Sequence, residues 1–356
     1  MTENSQRILI IGPSWVGDMV MAQALLMQLA AQYPGALIDV LAPAWTKPLL
    51  ARMPQVHQGL DMPLGHGELG VGKRWRLGRQ LAATGYHQAI VLPNSLKSAL
   101  IPWFAGIPLR TGWRGEMRYG LLNDCRPLDK ARVPLMVQRF VALALPATAE
   151  LPDALPEPMP VPQLQVDPAG VQQACSALGV AATGRILALC PGAEFGDAKQ
   201  WPVEHYAAVA REYLNKGWQV WLFGSDKDSS VTGNIAEQAG VGATSGAQCV
   251  NLAGRTSLAQ AIDLLSLVHA VVSNDSGLMH IAAALHKPLV AVYGSTSPGF
   301  TPPLTNQVEL LHTDIDCRPC FQRVCPLTHK RCLTELLPDR VLAALERLSN
   351  PLIAAG

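Results

Sequence analysis

The sequence predicts an α/β protein of two doubly wound domains, each a parallel sheet with helices on both faces. Three observations carry that expectation. Short apolar runs alternate with helix-length patterns in both halves, the order that builds a parallel sheet with right-handed crossovers. A stretch with seven Pro in 23 residues, Pro146 to Pro168, separates the halves; it suits neither helix nor central strand, and it is stiff. The length of 356 residues exceeds what one ordinary core accommodates.

The elements follow in order. Arg7–Gly12 (RILIIG) reads as a buried parallel strand, and Asp18–Gln32 as a helix stopped by Tyr33-Pro34-Gly35. Leu37–Leu41, a helix near Ala44–Arg52, a helix near Lys73–Thr84 and the strand Gln88–Leu92 continue the alternation. The second half repeats it: strand Arg185–Cys190, helix Val203–Lys216, strand Trp218–Phe223, helix Asp228–Ala239, strand Val250–Leu252, helix Leu258–Val268, strand Ala270–Ser273, helix Gly277–Leu285 and strand Leu289–Tyr293. A last helix, Pro338–Leu348, has apolar spacing at Val341, Leu342, Leu345 and Leu348 and is expected to pack back on the body. The domains are therefore read as 1–145, a linker 146–168, 169–335 with a Cys-rich loop at 317–332, and the C-terminal helical segment 336–356. A cleft between the two domains is expected to hold the ligands, beyond the carboxyl ends of the strands.

Composition narrows the function. Apolar residues are 49% and charged residues 15% of the chain, which excludes a disordered protein. Basic and acidic residues number 28 and 27, so coating a polyanion is not expected. The balance is uneven, however. Residues 70–140 hold twelve Lys/Arg against three Asp/Glu, and 141–240 hold five against eleven. The N-terminus lacks a signal-peptide pattern and no stretch of 18 apolar residues occurs. The expectation is a cytoplasmic protein whose eight Cys are thiols or metal ligands.

Five motifs are candidates for chemistry. Gly12-Pro-Ser14-Trp-Val-Gly17-Asp18 joins the first strand to the first helix, where backbone N–H groups can approach an anion. Asp18 there is either a catalytic acid-base group or a first-turn acid favoured by the helix dipole. No acid closes the second strand at the dinucleotide spacing, so a nicotinamide site is disfavoured. The second motif is Cys190-Pro-Gly-Ala-Glu194-Phe-Gly-Asp197-Ala-Lys199-Gln-Trp-Pro202, in which Lys199 is either a point charge for a phosphate or a solvated lysine. The third is Ser273-Asn274-Asp275-Ser276-Gly277-Leu-Met-His280, a helix start suited to a diphosphate or simply an N-cap. Beside it, Asp226 or Asp228 either holds a ribose diol or starts a helix. The fourth is the basic block, with Lys73, Arg74, Arg76, Arg79, Asn94, Lys97, Arg110, Arg114 and Arg118, read as facing an anionic acceptor or as a solvated face. Nucleic acid is not expected, since no recognised binding module accompanies the block. The fifth places four of the eight Cys in sixteen residues, Cys317, Cys320, Cys325 and Cys332. That spacing suits a structural tetrahedral thiolate site for zinc or iron, with His329 as a spare ligand, or a reduced thiol-rich loop.

The stretches Gly12–Asp18, Leu92–Asp124, CPGAEFGDAKQWP and SNDSGLMHIAAAL resemble the heptosyltransferases of lipopolysaccharide core assembly, glycosyltransferase family 9, and the resemblance runs to about Pro303. It implies a GT-B fold of two Rossmann-like domains, the first binding the acceptor and the second ADP-L-glycero-D-manno-heptose. It also implies an inverting transfer to the first heptose of heptosyl-Kdo2-lipid A, with no cofactor required for catalysis. On that resemblance Asp18 is the base and Lys199 stabilises the departing diphosphate. Glu194, Lys199, Asp226, Asp275, Ser276, Gly277 and His280 form the donor set, and Ser14, Gly17, Asn94, Lys97, Arg114 and Arg118 the acceptor set. A lipid acceptor implies peripheral contact with the inner membrane. Two departures stand out. Glu194 and Phe195 occupy a loop where the first heptosyltransferase of the pathway carries hydroxyl residues. The Cys cluster is not general in the family, although related heptosyltransferases that modify autotransporters carry a four-cysteine iron site. A heptosyltransferase acting on a protein, or a nucleotide-sugar binding protein without catalysis, are the alternative readings.

Overall fold

The computed structural model describes residues 6–65, 67–240 and 248–349. Two compact units divide after Leu164, inside the Pro-dense stretch. The first holds β1 (Arg7–Ile11), β2 (Leu37–Ala42), β3 (Gln58–Asp61), β4 (Gln88–Val91), β5 (Leu109–Trp113) and β6 (Asp124–Arg126). Its sheet order is β3-β2-β1-β4-β5-β6, with every pairing parallel. The second holds β7 (Ile186–Cys190), β8 (Gln219–Leu222), β9 (Cys249–Asn251), β10 (Ala270–Asn274), β11 (Leu289–Val292) and β12 (Val308–Leu311), in the order β12-β11-β10-β7-β8-β9. Counted from the first strand of each unit, the two orders are the same. Each sheet reverses direction between its first and fourth strands, at β1/β4 and at β7/β10, and the crevice there is where ligands of such sheets bind.

Strand character follows from apolar runs covered on both faces. Ile8 to Ile11 and the whole of β7 are buried. The helix Val16–Gln32 is apolar around most of its circumference and buries Met19 through Leu26. Its chain reversal uses Gly35 at φ +83°, a left-handed conformation natural to glycine.

Several elements depart from the periodicity reading. The helix expected at Ala44–Arg52 is a 3₁₀ turn, Ala44–Thr46, and a single helical turn, Lys47–Leu50. Pro43 before it and Pro54 after it leave little room for more. Residues 92–145 carry the helix Leu96–Phe104, β5, β6 and the helix Met136–Ala142, none of which the pattern shows. They are short, and Pro102 interrupts the first of them. The last residue of the expected linker, Pro168, opens a helix, Pro168–Leu178. Asp167 caps it through the Ala169 N–H at 3.1 Å and Gly179 closes it. Within the Pro-dense stretch, Gln163 is tied to the first helix. Gln23 Nε2 donates to the Gln163 carbonyl at 2.7 Å, and Gln163 N–H donates back to Gln23 Oε1 at 3.0 Å.

The C-terminal helix runs Pro338–Ser349 and buries Val341, Ala344 and Leu345 in the second unit. Arg347 pairs with Glu309 of β12 at 2.9 Å. Residues 350–356 of the expected helical segment lie outside the described residues. Among the described residues, no helix is long and apolar enough to cross a membrane.

Candidate active site

In the second unit, the loop after β7 turns through Asp197–Lys199 into the helix Val203–Asn215. Alongside, β10 ends at Asn274 and the helix Gly277–Ala284 begins. Lys199 Nζ bonds Asp275 Oδ2 at 2.7 Å and reaches the Asp275 carbonyl at 3.4 Å. The Thr296 hydroxyl donates to the same Oδ2 at 2.6 Å. An ammonium has three donors, and these contacts occupy two of them. Lys199 Nζ also lies 4.8 Å above the centre of the Phe195 ring. Ser276 opens the helix with extended backbone and makes no side-chain cap bond to it, a helix start of the kind that suits an anion.

Asn274 holds this geometry from below. Its amide donates to the Pro191 carbonyl at 2.6 Å. Its oxygen accepts from the Trp201 N–H at 3.2 Å and the Tyr206 hydroxyl at 3.0 Å. The ends of β7 and β10 and the start of the helix Val203–Asn215 are thereby joined through one buried amide. His280 is buried beneath the pair. Burial pushes its imidazole down to about 4, with Lys199 acting in the same direction and Asp275 opposing. It is neutral at physiological pH.

The other donor candidates sit apart from the lysine–carboxylate pair. Glu194 pairs with Lys227 at 3.0 Å on exposed ground. Asp226 starts a 3₁₀ turn against Gly254, where a Cβ would stand 3.0 Å from its carboxylate. Asp228 is spent locally: its Oδ2 accepts from the Ser225 N–H and hydroxyl at 2.8 and 2.7 Å.

In the first unit, Asp18 stands half-buried in the first turn of the helix Val16–Gln32, with Ser14 and Gly17 half-buried beside it. β4 pairs with β1, which makes the loop bearing Asn94 and Lys97 the neighbour of the Asp18 loop. Asn94 and Arg114 are exposed, and Lys97 is half-buried at the start of the helix Leu96–Phe104. That helix start already has an anion, since Glu116 accepts from the Leu96 N–H at 2.9 Å. Arg118 is a correction. It is expected on the acceptor face, and the structure leaves it 1% exposed. Its guanidinium donates to the Pro93 carbonyl at 2.7 Å, to Asn94 Oδ1 at 3.2 Å and to the Trp113 carbonyl. It locks Asn94 in place by satisfying carbonyls at two strand ends. Arg74 and Arg110 of the basic block are likewise turned onto backbone carbonyls, which reduces the exposed charge of that face.

Cys317, Cys320, Cys325 and Cys332, with His329, line one cavity of about 20 Å³. Burial, then the neighbouring thiols, push the Cys332 thiol up. Yet no group of three or more His, Cys, Asp or Glu that could hold a metal ion occurs among the described residues. The zinc or iron site expected from the spacing is therefore unsupported. The segment between the thiols is tied elsewhere: the Arg318 side chain donates to the Gly294 carbonyl, the Phe321 N–H to the Ser295 carbonyl, and the Arg323 carbonyl accepts from the Ala198 N–H. Motif reading also passes over Thr296, Asn274 and Glu116. Asn274 sits inside the SNDSG motif and Glu116 inside the stretch Leu92–Asp124; Thr296 lies in a loop with no signal.

A lysine–carboxylate pair at a helix start, beyond the carboxyl edge of a parallel sheet, is an arrangement suited to an anionic ligand. Residues 74–331 match the family described as glycosyltransferase family 9 (heptosyltransferase). Lipopolysaccharide heptosyltransferase 2 of Salmonella typhimurium is 50% identical over 343 residues, covering 96% of this chain and 98% of its own. Lipopolysaccharide heptosyltransferase 2 of Escherichia coli is 49% identical over 346 residues, with the same two coverages. The solved structure of E. coli ADP-heptose lps heptosyltransferase II superposes with a TM-score of 0.86 at 46% identity, covering 96% of this chain and 98% of that one. This chain belongs to glycosyltransferase family 9, the heptosyltransferases. It is a glycosyltransferase enzyme, and its two doubly wound units have the GT-B architecture.

Proposed function

We propose that this enzyme moves L-glycero-D-manno-heptose from ADP-heptose to the first heptose of heptosyl-Kdo2-lipid A, with inversion at the anomeric carbon. The single observation that carries the donor half is the Lys199–Asp275 pair, 2.7 Å long, beside the open start of the helix Gly277–Ala284. In this reading Asp18 takes the proton as the acceptor hydroxyl attacks the anomeric carbon. The new C–O bond forms on the face opposite ADP while the bond from the sugar to the diphosphate breaks. Charge grows on the leaving diphosphate, where Lys199 and the N–H groups of Ser276 and Gly277 oppose it. These groups supply the positive charge that the step requires, so catalysis needs no added cofactor. Neutral His280 fills space under the pair without adding a competing charge.

The acceptor half rests on Asp18, Ser14 and Gly17 with exposed Asn94 and Arg114 and the adjoining Lys97. Peripheral contact with the inner membrane is supported by one face of the first unit. The helix Val71–Ala82 carries Lys73, Arg76 and Arg79 with no acid, and Trp75 on it is 51% exposed. Trp103, on the helix packed against it at Gly78 and Phe104, is 46% exposed. Cationic and aromatic side chains together suit an anionic lipid interface.

The test is direct. The protein is incubated with ADP-heptose and one-heptose core lipid, and the lipid is weighed. A gain of one heptose with stoichiometric ADP supports the assignment. No gain, or a gain on polypeptide in place of lipid, defeats it.

A further inference from the structure

We propose that Arg318, in the Cys-rich segment, is a positioning residue for the donor site, holding Lys199 and Asp275 in register through the loop after β11. The inference rests on the reading that Lys199 meets the donor diphosphate. Arg318 Nε donates to the Gly294 carbonyl at 2.9 Å and its Nη2 to the Thr296 carbonyl at 3.0 Å. Thr296 in turn donates its hydroxyl to Asp275 Oδ2, the atom that Lys199 grips. One guanidinium therefore sets the residue that orients the carboxylate, three hydrogen bonds from the lysine.

The same segment reaches Lys199 by a second route. The Phe321 N–H donates to the Ser295 carbonyl at 2.8 Å, and the Ser295 N–H donates to the Ala198 carbonyl at 3.2 Å. The Ala198 N–H donates to the Arg323 carbonyl at 3.1 Å. Ala198, adjacent to Lys199 in the chain, is thus held on both sides. Gly196 permits the approach, because a Cβ there would run into the Arg323 carbonyl. Lys330 pairs with Asp197 at 2.6 Å, and the Phe195 ring lies between Lys199 at 4.8 Å and Arg323 at 5.3 Å. Every residue from Phe195 to Ala198 touches the Cys-rich segment or Lys199. Backbone carbonyls held by a half-buried guanidinium are charge-assisted bonds, stronger than neutral ones, so the brace is rigid where the diphosphate charge develops. The four thiols line a cavity that also includes Ala198 and Ser295, which places them behind this brace.

The test compares Arg318→Gln, Arg318→Lys, Lys199→Ala and the double variant Arg318→Gln/Lys199→Ala in the full chain. Readouts are ADP affinity by calorimetry, KM for each substrate, kcat and thermal unfolding. Arg318→Gln is expected to raise the donor KM and the ADP Kd about tenfold while the acceptor KM stays within twofold. Arg318→Lys recovers part of the loss. In the Lys199→Ala background, Arg318→Gln adds less than twofold, because its effect passes through the lysine. Thr296→Val, which breaks the link and leaves Arg318 in place, reproduces the donor defect if Arg318→Gln folds poorly. The role is overturned if Arg318→Gln and Thr296→Val leave the donor KM unchanged, if both substrate KM values rise together, or if the single effects multiply in the double variant. A Lys199→Ala enzyme with unchanged ADP affinity removes the donor reading itself. A weakened Lys199→Ala enzyme beside a wild-type-like Arg318→Gln removes the role of Arg318 alone.

Discussion

The two units share a strand order and differ in how their sites are held. In the second, the site is a closed polar network. Lys199, Asp275 and Thr296 meet on one carboxylate oxygen, and Asn274 ties three segments beneath them. In the first, the rigid part lies below the surface, where Arg118 binds strand-end carbonyls, and Asn94 and Arg114 are left exposed. The same topology therefore supports a tight side-chain network in one unit and exposed polar and charged side chains in the other. Scaffold and chemistry are separable, and the loops at the carboxyl edge carry the difference.

The largest expected effect tests the first unit. Asp18→Asn should lower kcat by about 10²–10⁴-fold with ADP affinity unchanged; near-normal turnover would remove Asp18 as the base and leave the first unit without a chemical role. Next comes the network of the second unit. Asn274→Ala orphans the Pro191 carbonyl and the Trp201 N–H and leaves the Tyr206 hydroxyl only the Cys190 carbonyl at 3.4 Å, at a cost of about 2–4 kcal/mol. Calorimetry should show the melting temperature of the second unit fall by roughly 5–15 °C. A loss under 1 °C would mean the network is not rigid after all.

Acid sensitivity sharpens the contrast further. The folded His280 ionises near 4, below the ordinary 6.5 of the unfolded chain, so the unfolded state binds more protons between those values. Stability is complete above pH 6.5 and declines as pH falls toward 4, by up to ~3 kcal/mol from this group. His280→Gln should flatten that decline relative to wild type; identical acid profiles would contradict the buried neutral imidazole. The smallest effect belongs to the open surface. Arg114→Gln should raise the acceptor KM about two- to fivefold at low salt, less at high salt, and leave the donor KM alone. An equal change in donor KM would undo the division of labour.

Much of this was legible in the chain because it is written locally. RILII and ILALC are buried on both faces, so each run states its own structure. Lys199, Asp275 and Asp18 follow strand-to-helix turns that a reader can locate by pattern. Short elements were not legible: β6 spans three residues, β12 four, and the helix Leu96–Phe104 contains Pro102. Such segments are held by neighbours rather than by periodicity.

The sequence by itself determined the alternation of strands and helices, the break near the Pro-dense stretch, and which loops bear charge. Hydrophobic spacing and turn chemistry act over a few residues, so they can be read from order alone. Only the tertiary structure decided which charges meet. It turned Arg118 inward, paired Glu194 with Lys227, joined Thr296 to Asp275, and set four cysteines around one cavity. Most of these pairings join residues far apart in the chain, 21 residues for Thr296 and Asp275 and 33 for Glu194 and Lys227, and Lys199 meets Asp275 from 76 away. Burial and unsatisfied carbonyls choose such partners, and neither exists before the chain has folded.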